Sequence, residues 1–159
     1  LRGSKKGGLL DATMKSPWSH RASGQMLVFN RRTTCGFMSL PKEGWRLGYF
    51  TPQGTGHYSV FARNFGADGK AVKDDPGWTV KGFPVAVDAM LLAAGTLFVA
   101  GPPDSTQAKG GLIRAVALAD GRKLGEIALD SPPVFDGMAA ADGRLYIATK
   151  DGKLNCFGR

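Results

Sequence analysis

An internal repeat with a spacing of 48 residues constrains this chain more than any other feature of its sequence. Residues 78–101 align on residues 126–149 without a gap. Seven of the aligned positions are identical. They are Pro84/Pro132, Asp88/Asp136, Met90/Met138, Ala93/Ala141, Gly95/Gly143, Leu97/Leu145 and Ala100/Ala148. Each copy is too short to fold alone, so the copies must bury their apolar faces against one another.

Asp-Gly pairs punctuate these copies. Asp-Gly provides the positive φ angles that a two-residue hairpin turn requires, so it predicts short antiparallel strands joined by tight turns. The predicted structural turns are Asp68–Gly69, Asp120–Gly121, Asp142–Gly143 and Asp151–Gly152. The predicted inner or central strands are 26–30, 89–93, 96–100, 112–118, 138–141, 144–149 and 153–157. No helical period is visible, which favours an all-β chain.

Further segments extend the repeat in both directions. Residues 110–116 resemble residues 151–157 after a seven-residue insertion within the loop 101–110. Upstream, residues 24–30 resemble residues 143–149, and residues 67–70 match residues 119–122. The latter pair predicts a turn between the last two strands of a unit. An insertion around "LPKEGWRLGYFTPQGTG" explains the longer spacing after the first copy.

Four-stranded units that repeat every 40–50 residues are typical of β-propeller blades. We therefore predict an all-β fold of about three four-stranded antiparallel blades. Residues 1–23 form a basic lead-in, 24–80 a first blade distorted by its insertion, and 81–159 two further blades. The alternative is a β-sandwich in which the internal similarity is coincidental.

Three blades do not close a propeller, which needs 4–8. We therefore expect the remainder of the same propeller, or another protein chain, to supply the missing blades. The first residues, "LRGSKKGG", begin without Met and resemble the middle of a protein, so we expect the chain to be a fragment.

The charge of +8 is concentrated near the beginning of the chain. Residues 1–32 hold seven Lys or Arg and one Asp, whereas residues 86–159 hold eight of each sign. The basic segment is either a solvated lead-in, which we favour, or a contact for phosphate or an acidic partner. No nucleic-acid motif appears, so nucleic acid is an unexpected partner. The sequence contains no run of 18 apolar residues, so it predicts no membrane-spanning helix.

The residues that could carry chemistry are sparse. Cys35 and Cys156 lack metal-ligand spacing; they are interpreted as small buried residues in strands, or as one disulfide in an exported protein. His20 and His57 have no acidic or Cys neighbour at a useful spacing. Asp136, Asp142 and Asp151 could bind calcium or act as acids and bases. The Gly that follows each of them favours a turn. We therefore predict no catalytic, cofactor or metal residue.

The polar insertion offers a candidate interaction loop, because loops that protrude between strands often bind partners. Its candidate residues are Pro102, Pro103, Asp104 and Lys109. The alternative for this loop is a simple solvent loop. A second candidate surface is aromatic and could stack on sugars, although blade packing is favoured for its residues. They are Trp18, Trp45, Trp78, Tyr49, Tyr58 and Phe61.

The segment "AAADGRLYIATKDGKLNCFG" resembles the repeat of the quinoprotein-like, or pyrroloquinoline-quinone-type, β-propeller superfamily. Its pattern Ala-x-Asp-Gly, an aliphatic-Tyr-aliphatic strand and a second Asp-Gly is filled by residues 140–154. The resemblance is specific over residues 85–157 and diffuse over residues 7–157. It implies the C-terminal part of a large exported bacterial propeller protein, in the periplasm or outside the cell.

This sequence departs from the enzymes of that superfamily. Their blade-end Trp girdle is reduced to Trp78, with Ile127 near the next expected position. A vicinal Cys pair and a recognisable calcium and catalytic Asp set are missing from the sequence, so no cofactor is implied. We therefore expect a noncatalytic scaffold or protein-interaction module within a larger exported protein. The alternative is the C-terminal part of a quinone-dependent or sugar-acting enzyme whose catalytic residues lie elsewhere.

Overall fold

A computed structural model describes residues 26–39, 58–66, 72, 74, 77–104 and 109–158, and these residues form eleven short β-strands. These residues contain no helix, so none of them forms a helix that could cross a membrane. The strands form three antiparallel sheets. The predicted all-β class is therefore confirmed for the described part of the chain.

The first sheet has four strands in the order β1-β2-β3-β4. Its strands are β1 (Leu27–Phe29), β2 (Thr33–Ser39), β3 (Tyr58–Asn64) and β4 (Trp78–Lys81). The Asn30 side chain shapes the turn between β1 and β2, because its Oδ1 accepts hydrogen bonds from the Arg32 and Thr33 amides at 2.9 Å. The predicted insertion, residues 40–56, falls between β2 and β3.

The second sheet has four strands in the order β5-β6-β7-β8, and the third sheet has three in the order β11-β10-β9. The second sheet comprises β5 (Ala89–Ala93), β6 (Thr96–Gly101), β7 (Gly111–Ala117) and β8 (Lys123–Leu129). The third sheet comprises β9 (Pro133–Ala141), β10 (Arg144–Thr149) and β11 (Leu154–Phe157).

The second and third sheets share one strand register. Met90 pairs with Val99 in β5 and β6, and Met138 pairs with Ile147 in β9 and β10. Both residues of the second pair lie 48 positions after those of the first (138 − 90 and 147 − 99). The same offset relates every pair from Met90 to Ala93. The pairing in space thus has the offset of the sequence alignment.

The third strands of these sheets follow the alignment too. Leu97 pairs with Val116, and the equivalent Leu145 pairs with Phe157. Val116 and Phe157 are 41 positions apart, seven fewer than 48, which matches the seven-residue insertion between β6 and β7. Residues related by these offsets are called repeat-equivalent below.

Two apolar cores hold the three sheets together. The first core joins the first and second sheets and includes Phe37, Val60, Leu97 and Val99. The second core joins the second and third sheets and includes Ala100, Ile113, Leu145 and Ile147. The second sheet therefore contributes to a core on each of its faces. At one edge of the stack, β5 packs beside both β1 and β9.

The structure departs from the sequence interpretation in two places and adds bounds that it lacks. The segment 24–30 aligns in sequence on β10, a central strand, yet among the described residues β1 pairs only with β2 and lies at the edge of its sheet, as β5 and β9 do in theirs. The predicted bounds cover inner or central strands and leave out β2, β3, β4 and β8, although the predicted turn at residues 119–122 places a strand where β8 lies. The third expected blade has three strands within the described residues, not four. All seven predicted strands do occur, with β9 beginning five residues earlier than expected.

Candidate interaction surface

The face of the third sheet that points away from the second sheet is the candidate interaction surface. In the second sheet, the face toward the third sheet carries Leu91, Phe98, Ala100, Ile113 and Ala115. The repeat-equivalent residues of the third sheet are Ala139, Tyr146, Ala148, Leu154 and Cys156. Strand pairing places these five side chains together, because Tyr146 lies opposite Ala139 and Cys156, and Ala148 lies opposite Leu154. They are called the outer face below.

Burial differs sharply between the two equivalent faces. Ile113 is 1% exposed, whereas its equivalent Leu154 is 70% exposed. Ala100 is completely buried, and its equivalent Ala148 is only half-buried. The inward face of the same strand is fully covered, since Leu145 and Ile147 pack against the second sheet. The same apolar face is thus buried in the second sheet and exposed in the third sheet, where it forms the outer face.

The turn at Asp142–Gly143 joins β9 to β10 with φ values of 49° and 71°. Its equivalent in the second sheet, Ala94–Gly95, has φ values of 46° and 73°. Both are two-residue hairpin turns of the kind that needs positive φ at both positions. Asp142 therefore contributes to this turn through its backbone conformation.

The turn at Asp151–Gly152 differs from the two-residue turn that was predicted. Thr149 donates its amide hydrogen to the Lys153 carbonyl at 2.9 Å, which closes a three-residue loop with positive φ at Gly152 only. The Thr149 hydroxyl donates to Asp151 Oδ1 at 2.6 Å, and Lys153 Nζ lies 2.9 Å from Asp151 Oδ2. These contacts, with that of Lys153 the strongest, lower the pKa of Asp151 to about 2.

Asp120–Gly121 lies between β7 and β8. Asp120 Oδ1 accepts a hydrogen bond from the Arg122 amide at 2.9 Å, and Gly121 has a φ of 74°. The remaining predicted turn, Asp68–Gly69, lies outside the described residues, as do His20 and His57.

Asp136–Gly137 is not a turn, contrary to the sequence interpretation. It lies inside β9, where Asp136 has a φ of 52° and donates its amide hydrogen to the Asp88 carbonyl at 2.9 Å. The register of β9 shifts here, because Met138 pairs with Ile147 but Pro133 pairs with Thr149. The extra residues form a β-bulge that links the innermost strands of the second and third sheets.

The predicted interaction loop is anchored at its base. The Asp104 amide donates to the Pro84 carbonyl at 2.8 Å, the Ala86 amide donates to the Pro102 carbonyl at 2.9 Å, and Pro103 bridges Val85. Pro102, Pro103 and Asp104 are half-buried, and Lys109 is exposed. Residues 105–108 lie outside the described part of the chain. Three of the four candidates therefore brace the second sheet.

A small polar cluster lies near the start of β5. Lys150 Nζ is 3.5 Å from Asp88 Oδ2, which ties the third sheet to the second. Burial, with smaller contributions from Asp104 and Asp88, raises the pKa of Tyr58 to about 12. The described residues contain no group of three or more His, Cys, Asp or Glu side chains that could hold a metal ion.

The two cysteines have different surroundings. Cys35 is completely buried in the first core, and burial raises the pKa of its thiol to about 12. Cys156 is an exposed member of the outer face. Both thiols are free, so the disulfide alternative is wrong in this structure, and the expectation that both are buried holds for Cys35 alone.

Three residues of the predicted aromatic surface are described, and they pack within and between sheets. Tyr58 and Phe61 are buried, at 4% and 0% exposure. The Trp78 indole donates to the Leu118 carbonyl at 2.7 Å, and so connects β4 of the first sheet to the β7–β8 turn of the second. These contacts are packing contacts within and between the sheets. Trp18, Trp45 and Tyr49 lie outside the described residues.

Comparison with protein-family models and with curated proteins finds no match. Among solved structures, the chain is similar to a computationally designed protein named Ika4, with a TM-score of 0.51 and 13% sequence identity. The similar region covers 83% of this chain and 63% of the designed one. At that identity the likeness concerns the fold alone, which is all-β with blade-like antiparallel sheets.

Proposed function

We propose that this chain is a noncatalytic segment of a larger β-propeller and that it acts there as a scaffold. The outer face is its docking surface, and the occupant is a further four-stranded sheet of the same repeat. That sheet belongs to the rest of the same propeller or to another protein chain. We propose, from the family resemblance alone, that the larger protein is an exported bacterial quinoprotein-like propeller of the periplasm or the cell exterior.

The single observation that carries this proposal is the contrast between Ile113 and Leu154. These residues hold equivalent positions, yet Ile113 is 1% exposed and Leu154 is 70% exposed. The difference comes from the neighbour, since the third sheet covers Ile113. An apolar face of this kind in a soluble protein marks an interaction surface.

The chemistry of the occupant follows from the second core. The third sheet covers the second with Met138, Leu145, Ile147 and Phe157, an aliphatic face with one aromatic residue. The equivalent face of the second sheet, with Met90, Leu97, Val99 and Val116, packs on the first sheet. A sheet that carries a face of this composition fits the outer face by the same packing.

A charge placed in the outer face tests the proposal. Leu154→Arg should abolish self-association of the isolated chain and reduce its binding of a hydrophobic dye, because a buried unpaired charge is costly. Leu124→Arg is the matched control, since Leu124 is 47% exposed on β8 of the second sheet. Equal behaviour of the two variants and the parent chain would contradict docking at this face. A quinone absorption band in the native protein would favour the enzyme alternative.

A further inference from the structure

One arginine of the first sheet keeps two of its hydrogen-bond donors unused. Arg63 lies on β3 and is half-buried. Its Nη1 donates to the Ala62 carbonyl at 2.8 Å and to the Trp78 carbonyl at 2.9 Å, and its Nη2 donates to Thr79 Oγ1 at 3.0 Å. A guanidinium has five donors, so the Nε hydrogen and one Nη2 hydrogen make no bond within the described part of the chain.

The charge of Arg63 has no carboxylate partner among the described residues either. Burial lowers the pKa of its guanidinium. The guanidinium lies over the Phe61 ring, with its Cζ 5.3 Å from the ring centroid, so the ring and three hydrogen bonds hold it in place. Because a partly buried charge without a partner is costly, this arrangement favours an anion at the unused donors.

The second sheet contains the same arrangement with an anion in place. Arg114 lies on the third strand of its sheet, as Arg63 does, and its Cζ is 5.4 Å from the Phe83 ring centroid. Its Nε donates to Glu126 Oε2 at 2.8 Å, and its Nη2 donates to the same oxygen. Lys123 Nζ is 3.2 Å from that oxygen. The two nitrogens with unused donors in Arg63 thus hold a carboxylate in Arg114.

The strand that faces Arg63 cannot supply such a carboxylate. In the second sheet the carboxylate comes from the residue directly opposite on the fourth strand. In the first sheet Ala62 pairs with Trp78, so the position opposite Arg63 is Gly77. Gly77 has a φ of 90°, and an added Cβ there would lie 2.2 Å from the Ala62 carbonyl oxygen. A side chain is therefore excluded at this position, and the carboxylate has to come from elsewhere.

Two side chains of β4 add to the same face. Thr79 pairs with Phe61, and Lys81 follows two residues later, so both lie on the face that carries Arg63. Both are exposed. The Thr79 hydroxyl accepts a hydrogen bond from Arg63, so its own hydrogen is available to an anion. Lys81 provides a second positive charge, as a lysine of β8 does in the second sheet.

We infer that Arg63, Thr79 and Lys81 form a binding site for a carboxylate group from outside this chain. The carboxylate belongs to a free organic acid or to an acidic side chain of another protein. Arg63 Nε and Nη2 donate to it, the Thr79 hydroxyl adds one hydrogen bond, and Lys81 adds charge. This goes beyond the proposed function, because it concerns the first sheet and needs no further blade.

The test follows the Nε–H signal of each arginine by proton–nitrogen NMR. It uses the full chain with Leu154→Arg, a change on the third sheet that opposes self-association and leaves the first sheet as it is. Sodium acetate is the free acid, and the peptide acetyl-Gly-Glu-Gly-amide carries the acidic side chain. Both should shift the Arg63 signal downfield with saturation, whereas sodium chloride at equal ionic strength should not. Saturation at a lower concentration of peptide than of acetate assigns a protein side chain, and the reverse order assigns a free acid.

Two other arginines are controls in the same spectrum. Arg114 already holds Glu126, so its signal should stay in place. Arg122 is exposed, so its signal should move without saturation. An Arg63 signal that does not move, that moves equally in chloride, or that moves no more than the Arg122 signal overturns the inference.

Two variants test the roles of the site residues. Arg63→Lys keeps the charge and removes the paired donors, so both probes should bind at least about tenfold more weakly. Lys81→Gln should weaken binding about two- to fivefold, as expected for an exposed charge. Lys81 is exposed, so this variant tests the site even where Arg63→Lys does not fold. Unchanged saturation in Lys81→Gln would contradict the assignment of Lys81 to the site.

Discussion

The Trp78 indole donates a hydrogen bond of 2.7 Å to the Leu118 carbonyl, across the boundary between the first and second sheets. The ring also covers Gly121, where an added Cβ would lie 2.6 Å from the Trp78 ring. One residue of β4 therefore fixes the turn after β7. The contact joins the outermost strand of the first sheet, β4, to the β7–β8 turn of the second sheet. The contacts between β1, β5 and β9 lie at the other edge of these sheets.

Gly121 should tolerate substitution less well than Gly143. Both have positive φ, at 74° and 71°, but an added Cβ at Gly143 meets nothing within 4 Å. Gly143→Ala should cost about 1 kcal/mol from backbone strain alone. Gly121→Ala should cost at least about twice as much, because strain and steric overlap add. Urea unfolding of both variants measures the difference, and replacing Trp78 with Leu should remove most of it.

Ile113 and Leu154 should respond differently to truncation. Ile113→Ala should destabilise the chain by about 2–5 kcal/mol, because the side chain is buried in the second core. Leu154→Ala should change stability by less than about 0.5 kcal/mol, since an exposed side chain leaves no cavity. Chemical denaturation of the two variants checks this. A large loss for Leu154→Ala would show that the outer face is already covered.

The two thiols should react at very different rates. At pH 8 Cys35 is buried with a pKa raised to about 12, whereas Cys156 is exposed. Because the thiolate is the reactive form, a disulfide reagent should modify one thiol in the native chain and two in denaturant. Cys156→Ser should abolish the native reaction. Rapid modification of Cys35 in the native chain would contradict the packing of the first core.

Asp151 should titrate at an unusually low pH. Its folded-state pKa of about 2 lies below the usual value of about 3.9. Because the folded pKa is depressed, the stabilising contribution is complete above about pH 4 and is lost as the pH falls toward 2. Carbon NMR of the carboxyl group gives the midpoint. Lys153→Gln should raise that midpoint, and a parent midpoint near 4 would contradict the Lys153 contact.

The sequence predicts the hairpins of the second and third sheets well because their signals are local. Positive φ at Gly95 and Gly143 closes two-residue turns, and aliphatic residues alternate on either side. β8 follows a predicted turn at Asp120–Gly121, but its own residues favour a strand weakly: it holds Gly125 and Glu126, and most of its side chains are exposed. It forms a strand because β7 provides a ladder, which is a tertiary cause.

The candidate surface was less predictable for a similar reason. Ile113 and Leu154 are equally apolar in sequence, and only the presence or absence of a neighbouring sheet separates their burial. The loop at Pro102 and Pro103 stood out as a polar insertion, yet backbone bonds to Pro84 and Ala86 hold its base against the second sheet. Repeat-equivalence, once the register is known, is the signal that identifies the outer face.

The solution size and thermal unfolding of residues 1–159, expressed alone, test the central claim most directly. If the chain is a segment of a larger propeller, its open outer face should make it self-associate or aggregate, with a broad unfolding transition. Addition of a fragment that supplies the missing sheets should restore a defined size and a sharp transition. A concentration-independent monomer with one sharp, cooperative transition would contradict the claim.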